Sequence, residues 1–304
     1  MSAQRDHSLD HTGLVKSLPP ETKAALTARS DAAGLRHLAL YLAAMAACTV
    51  GIALQLPYWP LLMLPQGVLL VFLFTLSHEC THKTPFRSAW MNEAAGHICA
   101  LAIALPFVWF RYFHLAHHKF TNDPKHDPEL EQGGRPETLG SWIKYLSGWG
   151  YWKGVAQTIW RNAFGTITAP YLPERRHADM RLEARLLLAV YAAALLSLLV
   201  SPLALWLWIV PLLIGQPALR AYLLAEHGLC PPVANMLENS RTTFTTRLVR
   251  FLAWNMPYHA EHHAFPNVPF HQLPAFHAIT QDHLKSTSNG YGEFTANYMK
   301  QLTR

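Results

Sequence analysis

Four long apolar runs, grouped in two close pairs, constrain this chain of 304 residues more than any other feature. The first run, LALYLAAMAACTVGIALQL at 38–56, is separated only by PYWP from the second, LLMLPQGVLLVFLFTLS at 61–77. LLLAVYAAALLSLLV at 186–200 and LALWLWIVPLLIGQPALRAYLLA at 203–225 form a second pair, joined at Ser201-Pro202. A helix needs about 20 apolar residues to cross a bilayer, so runs of this length and spacing predict two transmembrane hairpins. Only 14% of the residues are charged, against roughly 25% in ordinary globular domains, the deficit expected of a chain that lives in lipid. Neither tight turn carries Lys or Arg. Arg87, Arg111, Lys119, Lys125, Arg175, Arg176, Arg181, Arg185, Arg241, Arg247 and Arg250 all lie in the other connections. Membrane proteins concentrate basic residues in their cytoplasmic loops, which puts those connections and both termini on the cytoplasmic side of an inner or plasma membrane.

A fifth run, AAGHICALAIALPFVWF at 94–110, has His97 near its start and Pro106 near its end. Lys83 and Arg87 precede it and Arg111 and Lys119 follow it. A single crossing would strand one basic group outside, so a re-entrant or interfacial helix is expected. The expected architecture is an all-α membrane protein: four transmembrane helices in two hairpins, the re-entrant helix, and a cytosolic helical cap built from 78–183 and 226–304. Residues 1–34 read as a cytosolic N-terminal segment that lacks the hydrophobic core of a signal peptide, and 35–304 as a single membrane domain. Cys48, Cys80, Cys99 and Cys230 are far apart and form no CxxC, which reads as reduced thiols.

Eighteen histidines are unusual in so apolar a chain, and eight of them fall in three boxes. These are His78 and His82 in HECTH; His114, His117 and His118 in HLAHH; and His259, His262 and His263 in HAEHH. Offsets of three and four stack side chains on one face of a helix, so each box can aim its imidazoles the same way. His227 follows Glu226 at the cytoplasmic end of the last apolar run, so four remote segments converge at one depth. A single tetrahedral zinc would leave several of these rings idle, whereas eight or nine neutral nitrogen donors suit two metal ions. Imidazole serves iron, zinc, copper and nickel alike; redox work on an alkyl chain favours iron. HECTH also satisfies the H-E-x-x-H pattern of zinc proteases, a reading that gives no reason for the other two boxes. A membrane zinc transporter would place its site near the bilayer midplane, and these boxes lie outside the runs.

HECTH, HLAHH and HAEHH, with their contexts HHKFTNDPKHDPE and NMPYHAEHHAFPNVPFHQLP, resemble the membrane-bound fatty acid desaturase superfamily of histidine-box non-haem di-iron enzymes. The resemblance runs from about residue 38 to about 277. It implies four spanning helices, a cytosolic cap, two iron ions, and an enzyme that uses O2 and two external electrons to attack an unactivated C–H bond. By motif position the eight box histidines would be metal and catalytic ligands, and His227 matches the extra histidine found before the last box. The first residue of the third box is His259, where front-end desaturases often have glutamine.

Carboxylates near the boxes suit the task of fixing ring tautomers, and Asp127, Glu129, Glu226 and Glu261 are the candidates. Asn122 and Asn255 are candidates for water-bridged contacts, and His126 is the one histidine outside the boxes singled out for a test. His7, His11, His37, His97, His177, His271, His277 and His283 read as ordinary surface or satisfied groups. No haem, flavin or nicotinamide motif is present, so electrons are expected from a separate ferredoxin, rubredoxin or b-type cytochrome with its reductase. The net charge of +6 favours an acidic donor or an anionic membrane surface, and no nucleic-acid motif accompanies it. The reading is a desaturase that introduces a double bond into a fatty acyl chain. The alternative is a hydroxylase or ketolase of the same superfamily acting on an alkyl, sterol or carotenoid substrate.

Overall fold

A computed structural model of the protein describes residues 9–131 and 134–303; His7 and the start of the 1–34 segment lie outside them. Two short helices, α1 (His11–Ser17) and α2 (Pro20–Leu26), lead into α3 (Asp31–Ala53), which opens at Ser30 with its hydroxyl accepting the Ala33 N–H at 3.2 Å. The chain turns through left-handed Gln55 and Tyr58 into α4 (Trp59–His82), with Pro60 in its first turn. That helix continues five residues past the apolar run, so HECTH forms its last turns. After it come α5 (Ala89–Ala102) and α6 (Phe107–Phe120), set at 102° to each other. The expected single re-entrant helix is therefore a bent pair. Ala104, with φ 60°, and Pro106, which has no N–H to continue α5, make the corner.

A corner inside an apolar body must find partners for its free backbone groups. The carbonyls of Leu101, Ala102 and Ile103 accept from Tyr191 Oη at 3.0 Å, Trp208 Nε1 at 2.7 Å and Tyr151 Oη at 2.9 Å. On the other side of the corner the Val108 N–H donates to Glu183 at 2.8 Å. The second histidine box is thus carried on a helix whose start is held by three later parts of the chain.

Beyond a short turn of helix, α7 (Pro128–Glu131), lie α8 (Leu139–Leu146) and α9 (Trp149–Phe164), then α10 (His177–Ser197). A π-turn at Leu205–Ile209 passes directly into α11 (Val210–His227). Three helical stretches, Pro20–Ala53, Trp59–His82 and Leu205–His227, are long and apolar enough to cross a membrane, or four if the bent pair counts as one span. α10 is not among them, because its first half carries Arg181, Glu183 and Arg185. The apolar run expected to span at 186–200 begins within a longer, partly charged helix, and Glu183 is engaged in capping α6. Leu186, Val190, Leu195 and Leu196 on α10, like Leu40, Leu42 and Val50 on α3, remain exposed, as suits side chains that meet lipid.

α4 is the central helix, and it packs against α11 across two glycines. A Cβ on Gly215 would lie 2.3 Å from the Gly67 carbonyl oxygen, and one on Gly67 would lie 2.2 Å from the carbonyl oxygen of Pro211. Where lipid is as apolar as the side chains, such close backbone approach is what holds helices together. The C-terminal part adds α12 (Met236–Asn239), α13 (Arg247–Leu252), α14 (His259–Ala264), α15 (Leu273–Thr280) and α16 (Tyr291–Met299). The all-α expectation needs one correction: β1 (Thr242–Thr243) pairs in parallel with β2 (Thr287–Ser288). The Thr242 N–H bonds the Ser286 carbonyl within this small ladder, and the Thr243 N–H bonds the Pro257 carbonyl and ties it to the segment before α14.

Candidate metal centre

The last turns of α4 present His78 and His82, α6 presents His114, His117 and His118, the last residue of α11 is His227, and α14 presents His259, His262 and His263. The structure gathers all nine rings. His78, His82, His114, His118 and His262 each offer one nitrogen to a common space, all within 4.8 Å of one another, and His117, His227 and His263 do the same beside them. His259 joins the second group, its Nε2 3.0 Å from that of His227. Neighbours in sequence are about 100° apart on a helix, so His117 and His118 serve different groups, as do His262 and His263. The two groups meet where the His118 and His263 rings stack, 4.0 Å between centroids and 7° from parallel. Seven of the nine are buried; only His82 and His118, both in the group of five, are part-exposed.

Groups behind the rings fix which nitrogen faces inward. His117 Nδ1 lies 2.9 Å from Asp127 Oδ1 and 3.3 Å from Glu129 Oε2. His259 Nδ1 is 3.3 Å from Glu226 and His262 Nδ1 is 3.4 Å from Glu79. His227 Nδ1 faces the Asn239 carbonyl at 3.3 Å, and His263 Nδ1 the Thr121 hydroxyl at 3.1 Å. With their Nδ1 protons turned outward to hydrogen-bond acceptors, His117 and His227 carry lone pairs on Nε2, while the Nδ1 of His259 lies beside the Glu226 carboxylate without a hydrogen bond.

Those lone pairs face one another. His227 Nε2 is 3.1 Å from His117 Nε2 and 3.0 Å from His259 Nε2, separations that call for a proton or a metal ion between the nitrogens. Metal–nitrogen bonds of about 2.1 Å set two ligands at right angles roughly 3.0 Å apart, which matches. In the other group His82 and His114 bring Nε2 atoms to 2.9 Å. Nε2 of His118, His262 and His263 is buried with no hydrogen-bond partner among the described residues. Burial and neighbouring rings hold His259, His262 and His263 well below the usual histidine range, so they are neutral at pH 7, the form that ligates. The donor set fits two metal ions, one in each group.

Residues 53–295 match the sequence pattern of the family described as fatty acid desaturase. The chain belongs to the fatty acid desaturase family. It is accordingly an oxidoreductase. Among its relatives, the sn-1 oleoyl-lipid 12-desaturase of Anabaena variabilis is 23% identical over 288 residues, 82% of this chain and 79% of that protein. The dihydrorhizobitoxine desaturase of Bradyrhizobium elkanii is 26% identical over 269 residues, covering 78% and 72%. A shorter match, 31% identical over 70 residues, 23% of this chain and 20% of the other, links it to an sn-1 acyl-lipid omega-3 desaturase (ferredoxin) of Nostoc sp..

Other residues singled out from the sequence of this desaturase relative fall in several places. Asp127 is buried against His117 while Glu129 is 47% exposed. Glu226 backs His259. Glu261 faces away from the rings, bonded to Thr242 and His277, because it follows His259 by two positions and so lies on the opposite side of α14. Asn122 bonds the Asn239 carbonyl, which itself backs His227, and also Arg135. Asn255 donates to the Phe270 carbonyl at 2.9 Å, and His126 pairs with Asp123 at 2.7 Å in an exposed turn; neither touches a box.

Sequence reasoning missed Glu79, Thr121 and Asn239. Glu79 had a signal: next to His78, it must point about 100° away from it, behind the site. Its carboxylate accepts from Thr84 Oγ1 at 3.1 Å and from the Phe270 N–H at 3.2 Å. In a zinc protease the Glu of H-E-x-x-H faces the metal-bound water, whereas this one stands behind His262.

Proposed function

We propose that the protein is an O2-dependent di-iron desaturase that introduces a double bond into a fatty acyl chain. The observation that carries the reading is the sorting of nine histidines from four remote segments into groups of five and four. His78, His82, His114, His118 and His262 would hold one iron, and His117, His227, His259 and His263 the other. Bound there, the pair supplies O2 activation and removal of hydrogen from an unactivated carbon.

The chain's own residues orient the rings and limit access. Asp127, Thr121 and the Asn239 carbonyl hydrogen-bond the outer nitrogens of His117, His263 and His227 and keep the inward ones bare, and the carboxyls of Glu226 and Glu79 stand behind His259 and His262. Nitrogen donors leave the metal charge uncompensated, which suits a site where oxygen-derived anions carry the negative charge. The part-exposed rings His82 and His118 put the opening on the side of the five-histidine group. The spanning helices, in the four-helix topology with a cytosolic cap, suit a hydrocarbon tail held in the membrane beneath that opening. Electrons come from a separate protein; a relative whose name specifies ferredoxin supports a donor of that class.

The test is co-expression with a ferredoxin and its reductase, mass spectrometry of the host lipids, and metal analysis of the purified chain. Loss of two hydrogens from an acyl chain with about two irons per protein supports the proposal. Gain of oxygen would make the enzyme a hydroxylase. Zinc alone, with no oxygen consumed when reductant and lipid are added, would sink the redox reading.

A further inference from the structure

α11 carries more polar side chains than a helix in lipid needs. Gln216 and Arg220 share one face with Leu223 and His227, at offsets of four, seven and eleven. Gln216 is 1% exposed, yet neither its amide oxygen nor its amide nitrogen has a hydrogen-bond partner among the described residues. Arg220 is half-buried with Nε likewise unpartnered, and among the described residues it forms no ion pair. Its guanidinium lies over the Tyr151 ring, 4.6 Å from the centroid. The buried indole N–H of Trp152, next along α9, also lacks a partner.

Each buried polar atom left without a partner costs about 1–3 kcal/mol, and a cation on a membrane helix is retained for function more often than for stability. The Gln216 amide and the Arg220 guanidinium both face the start of α9. Gly148, which caps α9 at φ 73°, faces Gln216 so closely that a Cβ there would be 3.1 Å from the Gln216 Cβ. Tyr151 and Trp152 follow within one turn. The unsatisfied strip therefore runs between α11 and the start of α9. It ends, seven residues and about 10 Å further along α11, at His227.

We propose that Gln216 and Arg220 bind the anionic head of the substrate, a carboxylate or a lipid phosphate on an acyl chain. Arg220 supplies the charge, with donors in the fork that matches such oxygens, and Gln216 supplies neutral hydrogen bonds. A head fixed here sets the reacting carbon a constant distance along the tail, so the strip measures position in the chain. The proposal rests on the desaturase reading only in naming the bound molecule a substrate.

The test measures binding without oxygen or reductant, on the metal-loaded protein in non-ionic detergent, by tryptophan fluorescence and thermal shift. Oleate probes a free carboxylate, dioleoyl phosphatidic acid a lipid phosphate, and oleyl alcohol an uncharged head on the same tail. Wild type should bind at least one anion more tightly than the alcohol, and the anion that binds names the source. Arg220→Gln should weaken that anion roughly tenfold or more and leave the alcohol unchanged. Arg220→Lys, which keeps the charge, guards against a variant that fails to fold and should fall between. Equal binding of oleate, phosphatidic acid and alcohol by wild type, or unchanged anion binding in Arg220→Gln, overturns the proposal. Anion binding that depends on Arg220 in a protein that never desaturates would leave this site standing and remove the activity.

Discussion

Glu79 Oε1 lies 3.4 Å from His262 Nδ1, and both side chains are fully buried. The first box thus supports the third from behind, while its own two rings face the same metal position as His262. Glu79→Gln keeps the shape and replaces the carboxyl oxygen that faces the ring nitrogen. Metal affinity should fall about 10–100-fold, read by competition with a graded chelator, with thermal stability of the metal-free protein little changed. Unaltered metal retention would mean that Glu79 only fills space.

Asp127 and Glu129 both reach His117, but only Asp127 is buried. Asp127→Asn should therefore lose about 10–100-fold in metal affinity or activity. Glu129→Gln, at a solvated carboxylate, should change either by less than about threefold, because water screens exposed pairs to within roughly 1 kcal/mol. Equal losses in the two variants would show that burial does not decide the matter.

The third box sets the direction of the acid response. Its rings titrate near 6.5 in the unfolded chain and are held well below that when folded, so the unfolded state binds more protons under acid conditions. Stability and bound metal should be complete above about pH 6.5 and decline as pH falls below it, since protons also compete with metal for the same nitrogens. Thermal midpoints and metal content, followed from about pH 8 down to about pH 5, check this. A midpoint that rises on acidification would contradict it.

At the α4–α11 crossing the backbones leave no room for a methyl group. Gly215→Ala should destabilise the protein by at least about 1–3 kcal/mol, seen as a lower thermal midpoint in detergent, and should loosen His78 relative to His227 because each is carried by one of the two helices.

Convergence of the four segments was legible because offsets of three and four fix a helical face and because His78 and His227 stand where apolar runs end. The division into five and four was not. It depends on adjacent rings in one box diverging by about 100°, and on which neighbour each then meets. Asn239 backs His227 through its backbone carbonyl, for which its side chain gives no sign. The bend at 103–106 was half legible, since Pro106 marked a break but not its angle. α10 begins nine residues before its apolar run because Glu183 is needed at the start of α6, a tertiary demand that local hydropathy does not record.

The corner between α5 and α6 also bears on how the chain assembles. The groups that satisfy its free carbonyls, Tyr151, Tyr191 and Trp208, are all made later than the corner itself. Until the ribosome has passed residue 208 this hinge stays incomplete, and the helix with the second box lacks its final seat. The seat of the second box is therefore completed only by residues made after all three of its histidines.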